Sequence, residues 1–184
     1  MRKLCRIATI FLVFHISLYV FAVEKPMKNI LIVYGSFSGS TKGIAEKMKN
    51  SLESIKIKVE LVPAAVRTMD LSKYDLVVIG SAIRAGKPHP DVLKFIEKNQ
   101  EALKEKKTAV FIVCMSIISE KPKNRARAEY YPEKVAIGFT PVSTAIFAGV
   151  VQDNWLQKLT LGKPGDYRDW KKIEDWTKSL PNLL

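Results

Sequence analysis

Only two cysteines and two histidines occur among the 184 residues. Cys5 lies in the basic first segment and Cys114 falls in the apolar run Ala109–Met115, so the pair supports neither a disulfide framework nor a thiolate metal site. Cys114 reads as a small core residue. The chain has no HExxH helix, no zinc cluster and no nucleophile–base pair, and Asp153, Asp166 and Asp169 lack the spacing of a catalytic carboxylate pair. A Walker A loop, which needs Gly-Lys-Ser/Thr in that order, is missing, and so is a G-x-G-x-x-G fingerprint. Acid is also scarce, with 18 Asp and Glu against 30 Lys and Arg. These cations are spread along the chain rather than interleaved with aromatics in one stripe, so nucleic-acid binding gains no support.

What remains is a chain of one-domain length with 47% apolar and 26% charged residues, a globular composition. Its net charge of +12 includes Arg2, Lys3 and Arg6, and residues beyond 22 still carry +9. A basic body of that size suits an anionic partner or an acidic membrane surface, or is simply a soluble basic exterior. Residues 1–6 are basic, 7–23 are mostly apolar, and Val20-Phe21-Ala22 offers a cleavage site. That order is the pattern of a secretory signal peptide, with an uncleaved membrane anchor as the alternative. Residues 1–23 are therefore read as a leader and 27–184 as the folded domain, exported or membrane-anchored. A second reading starts translation at Met27 and leaves the domain on the cytoplasmic face.

The segment Ile30–Met48 says most about function. An apolar strand, Ile30–Tyr34, enters a loop of small and hydroxylated residues, and a helix opens at Thr41. Backbone N–H groups of such a loop converge on one point, and the helix dipole favours an anion there. Ser36, Ser38, Ser40 and Thr41 add hydroxyls without charge, which suits a terminal phosphate monoester. Further on, strands are predicted at 56–62, 76–80, 108–115 and 144–151, and helices at 41–54, 90–106 and 170–180. The tail from Pro181 is expected to fray. Alternation of this kind gives a parallel sheet covered on both faces, with ligands at the carboxyl ends of its strands. The loops that matter are then 35–41, 80–89 and 116–131. His89 precedes Pro90 and reads either as a turn or cap residue or as a proton donor; Tyr130-Tyr131-Pro132 reads as packing or as a lid.

The order Ser-x-Ser-Gly-x-Thr at 36–41 resembles the FMN phosphate loop of flavodoxins. Val78-Ile79-Gly80-Ser81-Ala82-Ile83-Arg84-x-Gly with His89, Lys121-Pro122, Asn124-Arg125, Ala148-Gly149 and Asp169-Trp170 is similar to the flavodoxin-type, menaquinone-dependent protoporphyrinogen dehydrogenases. The resemblance spans about residues 28 to 180. It implies a flavodoxin-like five-stranded doubly wound sheet of order 2-1-3-4-5 and noncovalent FMN. It further implies an FMN-dependent dehydrogenase or oxidase passing electrons from a reduced organic donor, such as a porphyrinogen, to a quinone. By position, Ser36, Phe37, Ser38, Gly39, Ser40 and Thr41 would hold the phosphate. Ser81, Ala82, Ile83, Arg84, Ala85 and Gly86 would flank the ring, and Ser116, Ile117, Ile118 and Ser119 would cover its other side. The chain departs from the pattern in having no aromatic residue in 81–88 or 116–119 and a short stretch between Gly149 and Asp169. Arg84, Lys87, Lys121, Lys123, Arg125 and Arg127 would form a basic rim, favouring a reduced, anionic ring and hence acceptance of electrons. The rival readings are an electron carrier serving a partner enzyme and an interaction module that has lost FMN.

Overall fold

The computed structural model describes residues 28–66, 68–153 and 163–184. The leader expected over 1–23 lies outside the described residues. Among those described, no helix is long and apolar enough to cross a membrane.

Strand β1 (Asn29–Gly35) leads into helix α1 (Ser40–Glu53), and β2 (Lys58–Pro63) returns beside it. Next come β3 (Leu76–Arg84), β4 (Lys87–Pro88), α2 (Pro90–Lys98), α3 (Gln100–Glu105) and β5 (Thr108–Val113). Helices α4 (Pro122–Glu129) and α5 (Tyr131–Val135) precede β6 (Ser143–Phe147), β7 (Val150–Val151) and β8 (Gly165–Asp166), and α6 (Trp170–Ser179) closes the chain. Five strands pair in parallel in the order β2-β1-β3-β5-β6. This is the doubly wound order 2-1-3-4-5, counting the parallel strands alone.

The sheet forms because its three central strands are apolar on both faces. Leu31, Val33, Val77, Ile79, Val110 and Ile112 pack toward α2 and α5, whereas Ile30, Ile32, Leu76, Val78, Ala109 and Phe111 pack toward α1 and α6. Period-two alternation thus feeds two cores, and neither face can be left to water. On the second face Phe111, Phe147 and Trp176 meet with ring centroids 5.9–6.3 Å apart. The indole N–H of Trp176 is satisfied by Ser143 Oγ at 2.9 Å.

Several boundaries differ from expectation, each for a local reason. The helix expected over 90–106 breaks at Asn99, whose backbone leaves the helical region (φ −117°, ψ 14°). Its buried side chain donates to Phe95 O at 2.7 Å and accepts from Met69 N at 3.3 Å, competing with the helical backbone. The second strand starts at Lys58 rather than 56, because Lys56 takes a left-handed turn (φ 62°) after α1. The last strand is not continuous: β6 ends at Phe147, and Val150–Val151 turns away to pair antiparallel with Gly165–Asp166. The segment 116–131 is mostly helical rather than loop. The tail is held rather than frayed. It forms a 3-10 turn over Leu180–Leu183, Lys28 Nζ donates to Pro181 O at 2.7 Å, and Leu183 and Leu184 pack against the core.

Gly80 marks the tightest approach in the sheet, since a Cβ there would stand 2.1 Å from Phe111 Cζ. The ring cannot retreat, being fully buried beside Phe147 and Trp176. Gly80→Ala is therefore expected to lower stability by about 1–3 kcal/mol through overpacking. An unchanged denaturation midpoint would refute this account of the contact.

Candidate functional site

Three neighbouring strands, β1, β3 and β5, deliver the segments 36–41, 81–86 and 116–119 to the same carboxyl edge of the sheet. The first segment is the most constrained. Gly35 is packed so closely that a Cβ would lie 2.7 Å from the His89 side chain and 2.6 Å from Val92, bringing the end of β1 against the start of α2. Gly39 occupies the N-cap of α1 with φ 90°, a conformation that favours glycine. Its N–H donates to Ser36 Oγ at 3.0 Å and its carbonyl accepts from Gly43 N at 2.9 Å.

No side chain caps α1, and its first turn holds no acid. The opening N–H groups of the helix are thus left to a ligand or solvent. Thr41, the second residue of the helix, is fully buried and its Oγ1 has no hydrogen-bond partner. Thr108 also has an unpartnered buried hydroxyl, but it sits at the amino end of β5, the far edge of the sheet. Ser36 Oγ and Ser40 Oγ accept from Gly39 N and Val150 N, so each keeps its own O–H free to donate. Ser38 is fixed through its carbonyl, which accepts from Gln152 Nε2 at 3.2 Å. Lys42 turns outward to pair with Glu46 at 3.7 Å. The cradle is one of neutral donors.

The second segment is a hairpin rather than an open loop. Strand β3 runs on to Arg84, Ala85 and Gly86 turn with φ of 51° and 75°, and β4 returns antiparallel to Ile83 and Arg84. Consecutive positive φ values are the signature of a tight two-residue hairpin turn. Ser81 is fully buried, accepting from His89 N at 3.0 Å and donating to Ala82 O at 3.1 Å, so it fixes the hairpin rather than presenting a free hydroxyl. Ala82 and Ile83 are half-buried, and Arg84 and Ala85 are exposed.

In the third segment Ser116, Ile117 and Ile118 form a 3-10 turn with Met115. Ile117 leans on the core while Ile118 is exposed. Ser119 anchors α4: its Oγ accepts from Asn124 Nδ2 at 3.0 Å and Lys121 N at 3.3 Å, and its carbonyl accepts from Arg125 Nη1 at 2.7 Å. Cys114, just before this turn, is a buried core residue whose thiol is pushed up to about 11 by desolvation. It stays protonated at neutral pH.

One contact crosses between segments and was not foreseen from the sequence. The Phe37 ring lies 4.4 Å from the His89 ring and 4.1 Å from the Arg84 guanidinium. It ties the cradle to the hairpin and to the start of α2. His89 itself is a cap, since its Nδ1 accepts the Asp91 N–H at 3.3 Å. Burial pushes its pKa below the ordinary value, the Asp91 carboxylate 3.9 Å away opposes this, and the Arg84 charge adds to the lowering. Of the tyrosine pair, Tyr131 is buried core and Tyr130 is exposed.

The fold is that of the flavodoxin-like α/β proteins, and the chain belongs to the flavodoxin domain family, whose model matches residues 31–163. Among curated proteins it is similar to Protoporphyrinogen IX dehydrogenase [quinone] of Escherichia coli strain K12. The two are 23% identical over 173 residues, covering 83% of this chain and 94% of that protein. Among solved structures it is similar to oxidised Flavodoxin 1 from Bacillus cereus, with TM-score 0.61, 19% identity, and coverage of 85% of this chain and 99% of that one. A flavodoxin mutant of Fusobacterium nucleatum bound to flavin mononucleotide aligns with TM-score 0.51 and 12% identity, over 86% and 98% of the two chains.

His89 is the one histidine in residues 28–184, which gives a clean test of the cap. With its folded pKa lowered, the unfolded chain takes up the proton first as pH falls below about 6.5. Stability is then full above that pH and declines through the window down to the depressed folded value. Comparison of denaturation midpoints between pH 7 and 5 should show a steeper decline for the wild type than for His89→Asn, which keeps a capping side chain without the charge. Parallel curves would show that His89 contributes nothing to the pH dependence.

Proposed function

We propose that the protein is an FMN-dependent oxidoreductase that moves electrons from a reduced organic donor to a quinone or similar acceptor. The observation that carries this is the start of α1: an uncapped helix end, a glycine at positive φ, and the buried, unpartnered Thr41 hydroxyl among neutral donors. A phosphate monoester fits that donor set. The α1 N–H groups and the Thr41 hydroxyl would bind its oxygens, with the free O–H groups of Ser36 and Ser40 beside them. The FMN ring supplies the redox chemistry when bound. The hairpin 82–86 and the turn 116–118 would then border the ring, with Phe37, Arg84 and His89 holding the cradle and the ring-side hairpin in register. Arg84 and Lys87 would favour added negative charge on that side, as an electron acceptor requires.

The donor is proposed as a porphyrinogen-like compound and the acceptor as a quinone, on the strength of the likeness to Protoporphyrinogen IX dehydrogenase [quinone]. Residues 1–23 are proposed to serve as a secretory leader or membrane anchor.

Purified protein should show absorption bands near ~370 and ~450 nm that shift when FMN is taken up. A colourless protein that leaves added FMN unchanged would overturn the reading. Thr41→Val should weaken FMN binding about tenfold to a hundredfold, the worth of one hydrogen bond to a charged group. The same change should leave the FMN-free protein at least as stable, because the hydroxyl has no partner there to lose. Equal FMN affinity in both proteins would remove Thr41 from the site.

A further inference from the structure

Helix α4 is an anomaly in this fold. Of its eight residues only Ala128 is buried, so packing does not hold it in place. It is held instead by Ser119, through Asn124 Nδ2 and the Arg125 guanidinium. Lys121, Lys123, Arg125 and Arg127 follow one another on alternate residues, all exposed, with no acid between Lys121 and Ala128. None of the four has a carboxylate partner among the described residues. Pro122, Ala126 and Tyr130 recur four residues apart and share one outward face, and all are exposed, Tyr130 by 60%. Lys123 and Arg127 flank that ridge on one side, and on the other Arg125 stands beyond the exposed Glu129. Ile118, 45% exposed, stands just before the helix in the turn proposed to border the ring.

We propose that α4, with Ile118 and Tyr130, is the surface by which the protein docks on an anionic phospholipid bilayer, its cations among the headgroups and the Pro122–Ala126–Tyr130 ridge against the interface. A cluster of unpaired cations beside a small apolar ridge matches a bilayer surface, where charge lies outside and hydrocarbon beneath. Tyrosine suits the headgroup level, with its apolar ring and polar tip. A nucleic acid would call for aromatics interleaved with the cations, and an acidic protein would leave the apolar ridge unexplained. The placement deepens the redox reading and rests on it for its purpose. Docking through α4 turns the carboxyl edge of the sheet toward the membrane, where a lipid-soluble quinone resides.

The test uses the full chain carrying Tyr130→Trp, with vesicles of one part phosphatidylglycerol to two parts phosphatidylcholine and a brominated-lipid version of the same. The emission gained over the wild-type protein should shift to the blue and be quenched by the brominated lipid. It should do neither with phosphatidylcholine alone, and quenching should weaken as ionic strength rises to about 0.15 M. Adding Lys123→Gln and Arg127→Gln should weaken vesicle binding roughly twenty-five-fold, at about fivefold per cation. Lys98→Gln with Lys107→Gln, an equal loss of charge at the opposite edge of the sheet, should change it little.

Protein that sediments with vesicles while its residue-130 Trp stays unquenched is held by another segment, and the proposal is overturned. Equal weakening by the two charge pairs, or no binding at all, overturns it as well. FMN absorbance read in the same samples separates the two ideas. A flavin-loaded protein that fails to dock defeats the docking surface alone, and a colourless protein that docks defeats the redox reading alone.

Discussion

Strand β1 is the constraint on which the rest of the molecule depends. Ile30, Leu31, Ile32 and Val33 are all fully buried, so consecutive side chains demand cover on opposite faces. A strand of this kind cannot lie at an edge or face water on one side. With β2 on one side and β3 on the other, the chain winds outward in both directions from it, and the winding reverses next to β1. The reversal leaves a crevice at the carboxyl end of that strand. The sequence fills that place with Ser36 to Thr41, the loop richest in small and hydroxylated residues. Packing and site are therefore consequences of one hydrophobic tetrad.

The site is built by subtraction of side chains as much as by their addition. Gly35 and Gly39 let the backbone approach α2 and turn into α1, and Gly149 lies where a Cβ would stand 3.2 Å from Ser40. Strand β7 and the residue after it then fasten the cradle from the far side, through Val150 N and Gln152 Nε2. Around this neutral centre the cations sit outside, on the hairpin and on α4. A neutral interior with a basic rim can hold a dianionic group through dipoles, while long-range charge acts on whatever approaches from solution.

How much was legible in the sequence follows from which interactions are local. The β1–α1 junction was readable because a continuous apolar run, a hydroxyl-rich loop and a helix start all act within twenty residues. The parallel sheet was readable from alternation of elements, and its strand order from the resemblance to flavodoxins. The break at Asn99 was not, since it depends on Met69, thirty residues away. The Phe37 contact likewise joins residues 37, 84 and 89 from separate loops, and no spacing rule announces it. The held tail rests on Lys28 reaching Pro181. For the strand that split after Phe147, Gly149 was the available signal, a glycine inside an otherwise β-forming run.

That same bond between Lys28 and Pro181 has a geometric corollary. It joins the first and last turns of the described domain at the amino edge of the sheet, the end opposite the cradle. The roughly 23 Å height of a seven-residue strand such as β1 separates that edge from the cradle. The two ends of the described domain therefore offer separate surfaces, the joined termini at one and the cradle at the other.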